Sequence, residues 1–195
     1  MKKYIILFST ILCLTASLNA QIALQEGTKT IGGSVSYMSN TEEYGSTETK
    51  RTNIVFQPQY SRFVSDNIEI GFEFLYSHSK LEQNLKYADS YVKYSYSYTI
   101  ETKILGIGTL FNTYFPSSET VAPFLGAGLS ILVNPDQADN KFFNLYGQGG
   151  IAVFINSYSS VNLKVQYALQ NSFEGDAKSN TLLFSIGMNY YLLKD

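Results

Sequence analysis

The chain has 195 residues with sixteen Tyr, thirteen Phe, one Cys and no Trp, and 15% of it is charged. Its formal net charge of −2 becomes −4 once Lys2 and Lys3 are set aside with a leader, so it lacks the basic footprint that nucleic acid requires. After residue 20 no apolar run approaches the roughly 18 residues of a spanning helix.

The first twenty residues, MKKYIILFSTILCLTASLNA, have a basic start, an apolar centre from Tyr4 to Leu14 and a small residue, Ala20, before Gln21. This is the layout of a secretory signal peptide, expected over 1–20. The only cysteine, Cys13, lies inside it, and Leu12 before it is not the small residue that a lipoprotein site would want.

From Gln21 onward the hydrophobic pattern has period two, the signature of strands with one buried and one wet face. In chain order the segments are 28–39 (Ile31, Val35, Tyr37), 52–64 (Ile54, Phe56, Tyr60), 68–78 (Ile68 to Tyr76) and 104–115 (Leu105, Ile107, Phe111, Phe115). They continue with 121–133, 141–155, 161–170 and 181–192. In VNLKVQYALQ, Val161, Leu163, Val165, Tyr167 and Leu169 share one face while Asn162, Lys164 and Gln166 share the other. Pro58 and Pro123 fall inside strands, where a missing N–H predicts a bulge or a strand end.

The connections alternate. Segments 40–51, 79–97, 134–140 and 171–180 are long, and 65–67, 116–120 and 156–160 are short. Eight strands of about ten residues, with alternating short turns and long loops and aromatic residues near both strand ends, predict an all-β chain. The expected architecture is an eight-stranded antiparallel up-and-down transmembrane β-barrel over 21–195. A closed barrel pairs every backbone group, which is what allows strands to cross hydrocarbon.

The segments QPQYSRFVSDNIEIGFEF (57–74), ILGIGTLFNTYF (104–115) and VAPFLGAGLSI (121–131) resemble the small outer-membrane β-barrel family of Gram-negative bacteria. That is the OmpX-type or OmpA-barrel-like group, in versions common in Bacteroidetes. The resemblance implies an outer-membrane location, with outer-membrane lipids and lipopolysaccharide as surroundings. It implies no particular activity, because the family includes adhesins, stress proteins and porin-like members. The last strand is similar to the signal read by the barrel-assembly machinery, which implies that Gly187, Tyr190 and Leu192 help it engage that machinery.

Strand parity sends Glu69, Glu73, Asn112, Gln148, Asn162, Lys164 and Gln166 into the lumen. An eight-stranded barrel is just wide enough for side chains to fill it, so these residues read as a satisfied polar core. A cross-lumen Glu73–Lys164 ion pair is expected, and the alternative is a narrow path for ions or small solutes. Glu69 and Glu73 sit about 13 Å apart along a strand, too far for a glycosidase pair. His78, the one histidine, has Ser77 and Ser79 beside it and Lys80 two positions on. It therefore lacks the serine partner of the outer-membrane lipid A deacylases, and a lipid-modifying enzyme is the minority reading. The acidic stretch 134–140 lacks EF-hand spacing. No cofactor, metal or catalytic residue is expected.

The segment KYSYSYTI (93–100) puts Tyr94, Tyr96 and Tyr98 on the parity of the lumen face of the fourth strand. Without a bulge the rings line or cap the mouth, and with one they face lipid. Together with Tyr91 they are the candidate contact residues of loop 79–97, directed at an extracellular ligand that the sequence does not name.

Overall fold

In a computed structural model of the chain, residues 23–44, 47–88, 93–173 and 178–193 are described. The expected leader, 1–20, and Tyr91 lie outside them. The strands are β1 (Lys29–Tyr44), β2 (Thr47–Ser65), β3 (Ile68–Ala88), β4 (Lys93–Tyr114), β5 (Val121–Asn134), β6 (Gln137–Asn156), β7 (Ser159–Ser172) and β8 (Lys178–Leu192). Each pairs antiparallel with its sequence neighbours, and β1 meets β8 to close the barrel in the order β1 to β8.

The exterior is apolar. Ile70, Phe72 and Phe74 on β3, Leu105, Ile107 and Phe111 on β4, and Leu182, Phe184 and Ile186 on β8 are all exposed. Such a band is unfavourable in water and suited to hydrocarbon. The opposite parity is inside, where Gln57, Glu69, Glu73, Asn112, Asn144, Gln166 and Asn189 are buried.

Small residues let the large interior side chains fit. A Cβ on Gly128 would strike the Tyr146 ring, and one on Gly150 would lie 2.7 Å from Phe124 Cζ. At the tight β2–β3 turn Asn67 takes a φ of 65°, a left-handed conformation that asparagine tolerates better than most residues.

Three differences from the sequence expectations stand out. The long connections are mostly strand: the β3–β4 ladder runs unbroken from Ile68–Thr113 to Ala88–Lys93, and the β1–β2 ladder reaches Tyr44–Thr47. Beyond the hydrocarbon both faces of a hairpin are wet, so the apolar alternation fades although the Tyr, Thr and Ser residues still favour strand. Segment 134–140 shrinks to a turn in which Asp136 N donates to Asn134 Oδ1 at 3.0 Å.

Pro58 makes neither a bulge nor an end. It keeps register with Gly33 on β1, while the β3 ladder passes from Phe56–Tyr76 to Gln59–Glu73 without slipping. The missing N–H costs local pairing on one side only. Pro123 makes no bulge either: it is the third residue of β5 and keeps register with Ile151 on β6, one residue past the last β4 pair, Tyr114–Phe124.

The two halves are unequal. The β4–β5 ladder stops at Leu105–Val133, so Lys93–Ile104 of β4 pairs with β3 alone. Likewise β1 pairs with β8 only from Lys29–Leu192 to Val35–Ile186. Above those points β1 to β4 form a paired palisade, and a seam separates its β1 side from β8.

Candidate functional site: a filled lumen beneath a tyrosine-faced hairpin

The lumen is filled in layers. At the short-turn end, Phe63, Tyr114, Phe124, Phe154 and Tyr191 meet with ring centroids 5.4 to 6.5 Å apart. Ala23 and Leu24 are buried against this cluster. Leu24 is held by its carbonyl oxygen, which accepts from Asn67 N at 2.8 Å. Tilted aromatic rings pack favourably, and the N-terminal segment tucked beneath them closes this end of the barrel.

Above the rings lies a hydrogen-bonded polar layer. The carboxylate of Glu69 accepts from Ser61 Oγ, from Asn112 Nδ2 at 2.9 Å and from Tyr114 OH at 2.9 Å. Gln148 Nε2 in turn donates to Asn112 Oδ1 at 2.7 Å, which carries the network from β2 to β6. Ser160 Oγ donates to Asn162 Oδ1 at 3.1 Å. A buried acid needs this many donors to be tolerated.

Lys164 Nζ donates to Gln57 Oε1 at 3.5 Å, and Gln57 Nε2 donates to Gln166 Oε1 at 3.4 Å. The expected direct Glu73–Lys164 ion pair is absent: among the described residues the close contacts of a basic with an acidic side chain are His78–Glu101 and Lys80–Glu82. The lysine reaches an amide oxygen instead. A cavity of about 20 Å³ beside Asn112, Gln148 and Lys164 is the space this layer leaves, enough for about one water.

A third layer is apolar. Val55, Leu75, Leu132 and Leu183 form a collar packed by Ile104 and Phe142. Sequence reasoning missed both the collar and the tucked N-terminal segment. The signal for the collar was present, since four strands carry an apolar residue on the inward parity, where a polar lining was assumed.

Beyond the collar the β3–β4 hairpin rises with its two faces sorted. Register continues without a bulge, so Tyr94, Tyr96 and Tyr98 keep the lumen parity of Ile104 and Gly106. Their rings stand past the rim. Tyr94 is 69% and Tyr96 63% exposed, and Tyr96 stacks on Tyr98 at 6.5 Å. Leu85 and Ile100, also exposed, extend the same face.

The opposite face is charged. Lys80 Nζ meets Glu82 Oε1 at 2.6 Å. That contact and the charge of Glu82 raise the lysine above its ordinary range, and Lys80 likewise holds the Glu82 carboxyl below its own. His78 Nε2 lies 3.5 Å from Glu101 Oε2. Its cross-strand partners are Ile54 and Lys103, and neither carries a hydroxyl.

On β8, Tyr190 and Leu192 are exposed on the outer face. Gly187 is on the inner parity, where a Cβ would lie 2.5 Å from Gly33 O.

No family model matches the chain, and no curated protein matches it. Among solved structures it is similar to the outer membrane protein OprG from Pseudomonas aeruginosa, at 14% identity and a TM-score of 0.54. That match covers 87% of this chain and 98% of that one. Neisserial surface protein A matches at 13% identity and a TM-score of 0.48, over 85% of this chain and 97% of that chain. A designed transmembrane β-barrel matches at 10% identity and 0.48, over 86% and 98%. The likeness to OprG is one of fold, the eight-stranded transmembrane barrel.

Proposed function

We propose that this chain is an integral outer-membrane protein of a Gram-negative bacterium. On this reading it is not an enzyme; it acts outside the membrane by surface interaction, with the β3–β4 hairpin as its contact element. The observation that carries this reading is the exposure of Tyr94 and Tyr96 on a hairpin that outruns its β5 neighbour. Exposed aromatic side chains on a rigid strand pair contribute large contact area at small entropic cost.

The layered interior argues against the alternative of a narrow channel, because an ion would have to cross an apolar collar and an aromatic cluster. The charged outer face of the hairpin, with Lys80, Glu82 and Glu101, suits the headgroup region of lipopolysaccharide. The outward Tyr190 and Leu192 and the inward Gly187 suit recognition of the final strand by the barrel-assembly machinery.

Two measurements test the reading. Residues 21–195, refolded and confirmed by the heat-dependent gel shift, should give no unitary conductance in a planar bilayer. Cells displaying the protein should adhere to polystyrene beads, and replacing Tyr94, Tyr96 and Tyr98 by Ser should abolish the gain. Stepwise currents, or adhesion indifferent to the triple substitution, would contradict it.

A further inference from the structure

We propose that the cavity between the collar and the hairpin is a binding site for a small uncharged molecule with an apolar body and one hydrogen-bond donor. The cavity has a volume of about 290 Å³, near the lower end of small-molecule sites. Its floor is the apolar collar, and no charged side chain or aromatic ring lines it. A charged solute placed there would lose hydration and find amides and hydroxyls but no opposite charge.

The polar wall fixes which end of the ligand is wanted. Ser77 Oγ donates to Asn53 Oδ1 at 3.0 Å, and Gln166 Oε1 accepts from Gln57. Asn144 is 1% exposed and donates through Nδ2 to Ser130 Oγ at 2.9 Å. Its Oδ1 is buried and has no hydrogen-bond partner. A buried acceptor without a donor is costly, and a hydroxyl or N–H on a molecule seated on the collar would supply one. An apolar floor and one unmade acceptor select an apolar molecule with a donor group.

The site is independent of the role given to the hairpin tip, since its residues lie at or below Ser79 and Thr102. Shortening the hairpin by residues 84–97 should therefore leave binding intact while adhesion is lost. The test uses 4-fluorobenzyl alcohol and fluorine NMR, with the barrel in nanodiscs and protein-free nanodiscs as the partition control.

A saturable shifted signal is expected with the protein and should vanish in Ala168→Phe, which fills the cavity wall. Asn144→Ala should weaken binding about fivefold and remove the advantage of the alcohol over 4-fluorotoluene, which has no donor. The absence of a saturable signal, or its persistence in folded Ala168→Phe, would overturn the proposal. If Ala168→Phe fails the gel-shift test for folding, an unchanged preference for the alcohol in Asn144→Ala would overturn it instead.

Discussion

Leu132 crosses over Gly106: a Cβ added to Gly106 would lie 2.5 Å from Leu132 Cδ2 and 3.2 Å from Leu75 Cβ. The glycine on β4 is therefore the hollow that lets leucines from β3 and β5 meet across it and close the collar. Gly106→Ala should destabilise the folded barrel by about 1–3 kcal/mol, the usual cost of overpacking. Urea unfolding in lipid vesicles measures this. Leu132→Ala should cost less in the Gly106→Ala background than in the natural chain, since it removes the atom that the first change strikes. Additive losses would mean that the two residues do not compete for one space.

Glu69 accepts from three side chains on its two neighbouring strands, β2 and β4, and removing it strands all of them. Glu69→Ala should cost about 3 kcal/mol or more, because Ser61, Asn112 and Tyr114 would each lose a buried partner. Glu69→Gln keeps one acceptor oxygen and should cost less. A Gln substitution as damaging as Ala would show that the acid's charge, and not its geometry, holds the layer together.

The closing seam should be the weakest part of the wall. Above Val35 and Ile186, β1 and β8 no longer pair, while each keeps its other neighbour. In an antiparallel strand alternate residues direct their amides to alternate sides. Every second amide of Ser36–Tyr44 should therefore exchange hydrogen faster than those facing β2, by about two orders of magnitude. Hydrogen exchange read by NMR in lipid would show a period-two pattern, and uniform protection along β1 would mean that the seam closes.

What the sequence made legible follows from which solvent each residue meets. Within the hydrocarbon band one face must be apolar and the other need not be, so residues such as Leu163 and Lys164 announce their sides and the strands are readable. That same template hid the collar, because an inward Leu132 or Leu183 looks like noise where a polar lining is expected. It also shortened the hairpins. At Leu85 and Tyr96 the alternation no longer tracks lipid, and the ladder continues on backbone pairing and β-propensity. The inward parity of Glu69, Asn112, Gln148 and Lys164 was readable. Their partners were not, since Lys164 turning to Gln57 and not to Glu73 depends on side-chain packing across the lumen.

Two seals in series make a specific claim about conductance. The collar of Val55, Leu75, Leu132 and Leu183 bars the hairpin end, and the rings of Phe63, Tyr114 and Tyr191 bar the short-turn end. Barriers in series are governed by whichever remains, so breaching one should leave the bilayer silent. Leu75→Ser with Leu132→Ser should give a folded barrel without unitary steps, and so should Phe63→Ala with Tyr191→Ala. Combining all four should yield measurable current, modest because the hydrogen-bonded layer around Glu69 and Gln148 still narrows the path. Lys164→Gln would then alter the ion selectivity of that opened variant while doing nothing detectable in the natural chain. Current from the collar pair alone would mean that the aromatic layer is not a seal, and the claim of two seals in series would fall with it.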